Sequence, residues 1–161
     1  REHLGQGSVQ HLGCGTLRNV SANVEFAEKV VEAGGIQAIV AGMKVNSEAE
    51  LVQEHGCAAL WNISMGAGFE ARVAAAGGIE AIVNGMLAHR SSCGVQGHGC
   101  GALWSLSWKS AERQARIAEG GGIEAIVRGM KRHKKELPVQ EQGCLALFAV
   151  TSLSTHQARV C

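Results

Sequence analysis

The segment VQGHGCGALWSLS at residues 95–107 decides the fold, because it recurs three more times along the chain. Matching segments begin at Val9, Val52 and Val139, at intervals of 43, 43 and 44 residues, and read VQHLGCGTLRNVS, VQEHGCAALWNIS and VQEQGCLALFAVT. A fixed period between about 20 and 50 residues is typical of proteins built from stacked structural repeats. The period therefore predicts a row of equivalent units.

The glycines of this segment do not indicate a nucleotide-binding loop. GHGCG at 97–101 corresponds to EHGCA at 54–58 and to EQGCL at 141–145, so two of its three glycines are replaced in the equivalent segments. A phosphate-binding loop of this type also follows a strand, and no strand is predicted here. The stretch is instead predicted to open a long helix.

Two further blocks recur in the same register. The first is found as EKVV at 28–31, EARV at 70–73, QARI at 114–117 and QARV at 157–160. The second is found as EAGGIQAIVAGM at 32–43, AAGGIEAIVNGM at 75–86 and EGGGIEAIVRGM at 119–130. Each unit is therefore predicted to contain a short first helix that ends at the Gly-Gly, a second helix from the Ile to the Met, and a long third helix from the Val. A glycine after the first helix permits a left-handed cap and a sharp turn.

The starts of the third helices carry polar residues and one proline. Ser8 and Ser47 are placed to cap two of these helices, and Ser47 has capping-box spacing to Glu50. Pro138 stands one residue before Val139, where the first turn of a helix tolerates proline.

The composition favours a globular, all-helical protein. The 161 residues are 46% hydrophobic, which argues against disorder, and all 14 acidic residues are glutamate, a good helix former. The formal net charge of +1 provides no field that would attract nucleic acid or a membrane surface. No apolar run approaches the roughly 18 residues of a membrane span, and the N-terminus lacks a signal-peptide pattern. We therefore expect no membrane insertion and no nucleic-acid partner, and we predict a soluble, cytoplasmic piece of a longer protein, with a nuclear location as the alternative.

The cysteines favour buried thiols over disulfides or metal ligands. Four of the six form one column of the repeat, at Cys14, Cys57, Cys100 and Cys144. A small apolar group packed between neighbouring units suits that column, and cysteines one repeat apart are expected to be too distant to share a metal or a disulfide. His55 and His98 form a column too, but Leu12 and Gln142 occupy its other places, so no metal site and no cofactor are predicted.

GCAALWNIS at 56–64, followed by ARVAAAGGIEAIV at 71–83, resembles the armadillo repeat, whose third helix commonly reads A-x-G-A-L-W-N-L-S and whose next segment reads I-x-x-A-G-G-I-x-A-L-V-x-L-L. The resemblance covers essentially the whole chain. It implies a right-handed α-solenoid, or superhelix, whose third helices line a concave groove. HEAT repeats are the alternative, but they are typically two-helix units without this glycine hinge. The chain departs from the armadillo pattern at Gly42, Gly85 and Gly129, where leucine is usual, and close helix contact is expected there.

The period divides residues 1–161, a single solenoid, into units at 1–24, 25–67, 68–111, 112–154 and 155–161, of which the first and last are partial. Solenoid ends without polar caps expose core-like faces. Self-association through these ends is therefore expected.

The predicted binding surface lies on the third helices. A helical wheel places all three tryptophans on one side of two neighbouring third helices, and partly exposed aromatic residues are typical of binding surfaces. In armadillo proteins such as the importin-α family, an asparagine on each third helix can clamp the backbone of an extended peptide. The matching positions are Asn19, Asn62, Ser105 and Ala149, and the tryptophan four residues earlier in that family falls on Gly15, Ala58, Gly101 and Leu145, so nuclear-signal recognition of that kind is not implied.

The candidate binding residues are Asn19, Glu54, Trp61, Asn62, Trp104, Ser105, Trp108 and Phe148. Glu54, with Glu141 two units further on, favours a basic partner. The alternative is structural: the aromatic residues stack between units, and the asparagines bind a neighbouring helix terminus. The run KRHKKE at 131–136 is predicted to be a solvated helix end, with a nuclear-localisation signal as its alternative.

The pattern of residues favours a non-enzymatic scaffold that binds an extended peptide or a helix in the concave groove. A catalytic role is not expected, because no nucleophile, base and orienting group recur in a suitable arrangement. The second hypothesis is a structural segment of a longer solenoid that self-associates or spaces other domains and holds no ligand of its own.

Overall fold

The computed structural model describes residues 3–66 and 68–152, and this part of the chain is all-helical, with ten α-helices and no strand. The helices are α1 (Gly7–Ser21), α2 (Val24–Glu32), α3 (Gly35–Val45), α4 (Glu50–Ser64), α5 (Phe69–Ala75), α6 (Gly78–Ala88), α7 (Cys93–Ser107), α8 (Ala111–Glu119), α9 (Gly122–Arg132) and α10 (Leu137–Thr151). The all-α prediction is confirmed for these residues. None of their helices is long and apolar enough to cross a bilayer. The predicted partial unit at 155–161 lies outside the described residues.

The order of the helices follows the sequence repeat. Helices α1, α4, α7 and α10 each have 15 residues and contain the Val-Gln segments, while α3, α6 and α9 each have 11 and contain the Gly-Ile segments. Helix α4 packs between α1 and α7, and α7 packs between α4 and α10. The 11-residue helices make a second row, in which α6 contacts both α3 and α9.

Two adjacent glycines make each turn into the 11-residue helices. Gly34, Gly77 and Gly121 cap α3, α6 and α9 with φ values of 81°, 84° and 82°, in the left-handed region that glycine adopts without strain. The second glycine is needed for space, because a Cβ atom on Gly78 would lie 2.8 Å from the carbonyl oxygen of Val73. The predicted glycine hinge is confirmed.

Replacing Gly78 by alanine is expected to destabilise the fold by about 1–3 kcal/mol, the usual effect of overpacking. The new methyl group would meet a main-chain oxygen that cannot move without shifting the end of α5. Chemical denaturation would measure the loss. Gly13→Ala is the matched control, since nothing lies within 4 Å of its added Cβ and alanine is the better helix former. An equal loss in both variants would contradict this account of the hinge.

The predicted serine caps of the 15-residue helices are wrong at both positions. These helices begin two residues before the Val, so Ser8 lies inside α1, whose N-cap is Gln6. The N-cap of α4 is Ala49, and the Ser47 hydroxyl donates to the Glu48 carboxylate at 3.2 Å instead. Pro138 lies in the first turn of α10, as predicted.

A glutamine, buried at Gln53 and Gln96 and half-buried at Gln140, stabilises the end of each 11-residue helix. The Gln53 amide nitrogen donates to the carbonyl oxygens of Met43 and Asn46, both at 2.9 Å, and so satisfies acceptors that a helix C-terminus leaves free. The same pair of bonds recurs from Gln96 to Met86 and His89, and from Gln140 to Met130 and His133. A Cβ atom on Gly85 would lie 2.9 Å from the Gln53 side-chain oxygen. Gly85 therefore makes room for this glutamine, in agreement with the close helix contact expected there.

The cysteine column is buried in three units and exposed in the fourth. Cys14, Cys57 and Cys100 are buried as predicted, whereas Cys144 is exposed on α10. The prediction fails at Cys144 because no described 15-residue helix follows α10 in the stack. In the described part of the chain no group of three potential ligands could hold a metal ion, and the cysteines there are free thiols.

The buried thiols are expected to lower the stability of the fold at alkaline pH. Burial raises the pKa of Cys57 and of Cys100 to about 12 from an ordinary value near 9. The folded state therefore holds these protons more tightly than the unfolded state. This contribution to stability is complete below about pH 9 and is lost progressively as the pH rises toward 12, because the unfolded state releases these protons first.

We expect the free energy of unfolding, measured at several pH values, to decline less steeply above pH 9 in a variant with Cys57→Ala and Cys100→Ala. Cys93→Ser is the control, because Cys93 is exposed and its replacement should leave the pH slope unchanged. Parallel slopes in the double variant and the wild-type protein would contradict the prediction.

Candidate functional site

Two equivalent cavities lie in successive units beside the C-terminal ends of the 15-residue helices. The tryptophan cleft has a volume of about 200 Å³ and is lined by Ser64, Met65, Glu70, Trp104, Ser105 and Trp108. The asparagine cleft has a volume of about 190 Å³ and is lined by Ser21, Ala22, Val24, Ala27, Asn62, Met65 and Gly66. Met65 belongs to both clefts, and most lining positions recur after 43 residues, as at Ser21 and Ser64. The clefts therefore form one surface that continues from unit to unit.

Two indole rings, packed edge to face, form the wall of the tryptophan cleft. The ring centroids of Trp104 and Trp108 are 6.4 Å apart and their planes meet at 70°. Trp104 is half-buried, but Trp108 is the C-cap of α7, just beyond the last helical residue, and is 47% exposed. The Arg113 guanidinium donates to the carbonyl oxygens of Leu106, at 2.5 Å, and Trp108, at 3.2 Å, and so fixes the backbone that carries the second ring. The corner between the rings is thus held by the helix end and by Arg113.

The polar side chains that line the tryptophan cleft differ in their hydrogen bonding and burial. Ser105 is buried and its hydroxyl donates to the carbonyl oxygen of Ala102 at 3.0 Å. The Ser64 hydroxyl is buried without a hydrogen-bond partner. Glu70, in the first turn of α5, is half-buried and is the one charged side chain among the described residues that line the cleft. Acidic character in this cleft therefore comes from a single carboxylate.

The asparagines already make hydrogen bonds within the protein. Asn62 lines the asparagine cleft and donates from its side-chain nitrogen to the carbonyl oxygen of Arg18, in the last turn of α1, at 2.9 Å. The Asn19 side-chain oxygen accepts from the Arg18 guanidinium at 3.1 and 3.2 Å. The bond from Asn62 is the neighbouring-helix contact that the structural alternative describes. The side-chain oxygen of Asn62 remains available to accept a hydrogen bond.

Trp61 does not lie beside the other two tryptophans. Its indole packs over Gly101, where an added Cβ would come within 2.6 Å of the ring, and its centroid is 6.2 Å from that of His98. It belongs to a separate cavity, the histidine cleft, of about 280 Å³, lined by Trp61, Cys93, Gly94, Gly97, His98, Glu136, Pro138, Val139, Glu141 and Gln142. The three tryptophans therefore do not line one common cleft. Gly101 leaves a gap on α7, and the Trp61 ring fills it.

The histidine cleft contains polar atoms that are both enclosed and unpaired. The indole nitrogen of Trp61, the Nδ1 atom of His98 and the side-chain oxygen of Gln142 are buried and have no hydrogen-bond partner. Burial lowers the pKa of His98, against a smaller opposing effect of Glu54. Glu54 itself lies against Gly94, at the start of α7, because an added Cβ there would meet its carboxylate. Glu54 therefore belongs with this cleft and not with the exposed tryptophans.

Phe148, the last predicted binding residue, stands apart from all three clefts. It is 66% exposed on α10 and lines none of them. Glu70 was not predicted from the sequence, because it lies on a first helix and not on the third-helix column. Met65, the C-cap of α4, is 60% exposed.

Comparison with known proteins bears on the fold alone. No protein-family model matches the chain, and no curated protein matches it. Among solved structures, the crystal structure of an engineered protein from the Northeast Structural Genomics Consortium is similar, with a TM-score of 0.70 and 25% sequence identity. The similarity covers 84% of this chain and 53% of that chain, so this chain spans about half the length of the engineered protein. The all-helical arrangement therefore has a counterpart in a solved protein.

Proposed function

We propose that this chain is a non-enzymatic binding module that holds an extended segment of a partner protein along its 15-residue helices. In this proposal the units are of armadillo type and form a right-handed solenoid, with the tryptophan and asparagine clefts on its concave face. The stacking of α1, α4, α7 and α10 in sequence order supports the solenoid. The recurrence of a cleft in successive units is the observation that carries the binding function.

The spacing of the clefts suits an extended peptide. Packed helices lie roughly 8–10 Å apart, and an extended chain advances about 3.3 Å per residue. Side chains two or three residues apart on one peptide could therefore occupy neighbouring clefts. The oxygen of Asn62 that remains free can accept a hydrogen bond from a main-chain N–H group between them.

The side chains that line the tryptophan cleft support binding of a partner segment. Trp104, Trp108 and Met65 supply apolar and aromatic surface, and exposed tryptophan is enriched among the residues that dominate binding energies. Glu70 and the Glu54 carboxylate near the histidine cleft favour a basic partner segment. The buried reduced thiols suit a reducing compartment such as the cytoplasm.

A purely structural role is the second candidate, and the packing of Trp61 over Gly101 favours it. In that role the aromatic residues stiffen the stack, and the chain spaces other domains or associates with copies of itself. The two candidate functions can be distinguished by experiment, because only a binding module has a ligand that binds with a saturable affinity.

Selection from a library of unstructured peptides, displayed against the intact chain, tests the proposal. We expect enriched sequences that bind the wild-type chain with a single saturable affinity and that are lost in a counter-screen against folded Trp104→Ala. Lys134→Ala, in the exposed turn after α9, is the control and should retain them. Enrichment of the same peptides by Trp104→Ala and wild type, or no enrichment at all, would contradict the proposed groove.

A further inference from the structure

The two indole rings of the tryptophan cleft make a corner suited to a cation. Trp104 and Trp108 stand at 70° to each other, so a group in the corner can contact both rings. Indole faces attract cations through the ring quadrupole, and tryptophan is the strongest of the aromatic side chains in this respect. Glu70 adds a carboxylate, and the described residues that line the cleft include no lysine or arginine; the nearby Arg113 guanidinium is engaged with the carbonyl oxygens of Leu106 and Trp108. Charge complementarity therefore indicates a positively charged ligand group.

The cleft offers few acceptors for the protons of an ordinary ammonium group. A primary ammonium has three N–H donors, each of which binds water in solution. The Ser105 hydroxyl is buried and already engaged with Ala102, and the Ser64 hydroxyl is closed off from solvent. Glu70 remains as the accessible acceptor, so a primary ammonium that entered the cleft would lose hydrogen bonds that are costly to leave unmade.

We propose that the tryptophan cleft binds the quaternary ammonium group of a trimethylated lysine on the partner segment. A quaternary nitrogen has no N–H donor to satisfy, and its methyl groups pack on the faces of Trp104 and Trp108 while Glu70 balances its charge. The inference rests on the proposed function, because the flanking peptide residues occupy the adjoining asparagine cleft. Continuity between the clefts through Met65 favours a peptide over a choline headgroup as the source of this chemistry.

Tetramethylammonium chloride is the first probe, titrated against sodium chloride at equal ionic strength and against neopentyl alcohol, a neutral near-isostere that is soluble in water. Signals of the indole N–H groups report each tryptophan separately by nuclear magnetic resonance. We expect saturable shifts at Trp104 and Trp108, little change at Trp61, and at least about tenfold weaker binding of the neutral isostere. Equal responses of the three tryptophans, or equal binding of the two probes, would overturn the proposal.

Two matched variants separate cation binding from general apolar contact. Trp108→Phe retains an aromatic face and should keep part of the affinity for tetramethylammonium, whereas Trp108→Leu retains only apolar volume and should lose about tenfold or more. Glu70→Gln, which removes the charge at constant shape, should weaken binding several-fold. Unchanged binding in Trp108→Leu while that variant remains folded would contradict the aromatic role.

The second experiment uses one selected groove peptide with lysine, trimethyllysine or arginine at the position that enters the cleft. Trimethyllysine should bind about tenfold more tightly than lysine, and equal or tighter binding of lysine would overturn this inference while leaving the groove intact. If tetramethylammonium binds but no peptide does, the cation site remains and the proposed function fails. Co-sedimentation with phosphatidylcholine vesicles, in the absence of trimethyllysine binding, would assign the cleft to a lipid headgroup and overturn the peptide source.

Discussion

The Leu103→Ala variant is expected to lose about 2–5 kcal/mol of unfolding free energy, the usual effect of removing a fully buried leucine. Leu103 lies on α7, between α4 and α10, with no exposed surface and within the main hydrophobic cluster. Its truncation leaves a cavity within this hydrophobic cluster. Urea denaturation followed by far-ultraviolet circular dichroism would measure the loss.

The repeat supplies a matched control for this change in Leu17→Ala. Leu17 is the equivalent residue on α1 and is only half-buried, with α4 on one side of its helix. Its replacement should therefore cost less than that of Leu103. Equal losses at the two positions would contradict the described stacking order.

The second large effect is expected on binding. Trp108→Ala should weaken the binding of a peptide selected against the intact chain by about 2 kcal/mol, or ~30-fold. The residue lies outside the helical segment of α7 and is 47% exposed, so the variant should remain folded. Isothermal titration calorimetry with a selected peptide measures the change. Lys134→Ala is the control and should bind within about twofold of wild type. A loss in Lys134→Ala with no loss in Trp108→Ala would place the partner elsewhere.

The glycine hinges and the helix order could be predicted because each depends on local backbone chemistry. Gly34, Gly77 and Gly121 occupy left-handed conformations, and the Gly-Gly pairs stand out in the sequence at a constant period. The capping residues could not be predicted in the same way. The four long helices all begin two residues before the Val, although their N-caps are Gln6, Ala49, Ser92 and Glu136. Packing of the repeat therefore determines where these helices begin, and the side chain at the cap does not.

The tryptophans are divided between two clefts because each ring packs according to the residues on the next long helix. One repeat segment taken alone therefore could not predict the division. Trp61 and Trp104 occupy the same column of the repeat. Trp61 fills the gap at Gly101 on α7, whereas the equivalent residue on α10 is Leu145, which carries a side chain at that place. The sequence does contain a signal for this difference: the residue 40 positions after Trp61 is Gly101, whereas the residue 41 positions after Trp104 is Leu145. Glu70 could not be predicted from the third-helix column, because it lies on α5, a first helix.

Photo-cross-linking from a selected peptide to the intact chain is the most direct test of the central claim that the tryptophan and asparagine clefts hold the partner. A benzophenone group is placed at successive peptide positions, and mass spectrometry locates the attached residues. We expect attachment at residues 62–65 and 104–108, with the site of attachment moving from one cleft to the next as the benzophenone moves along the peptide. Attachment confined to α3, α6 and α9, or a site that does not move with the position of the group, would contradict it.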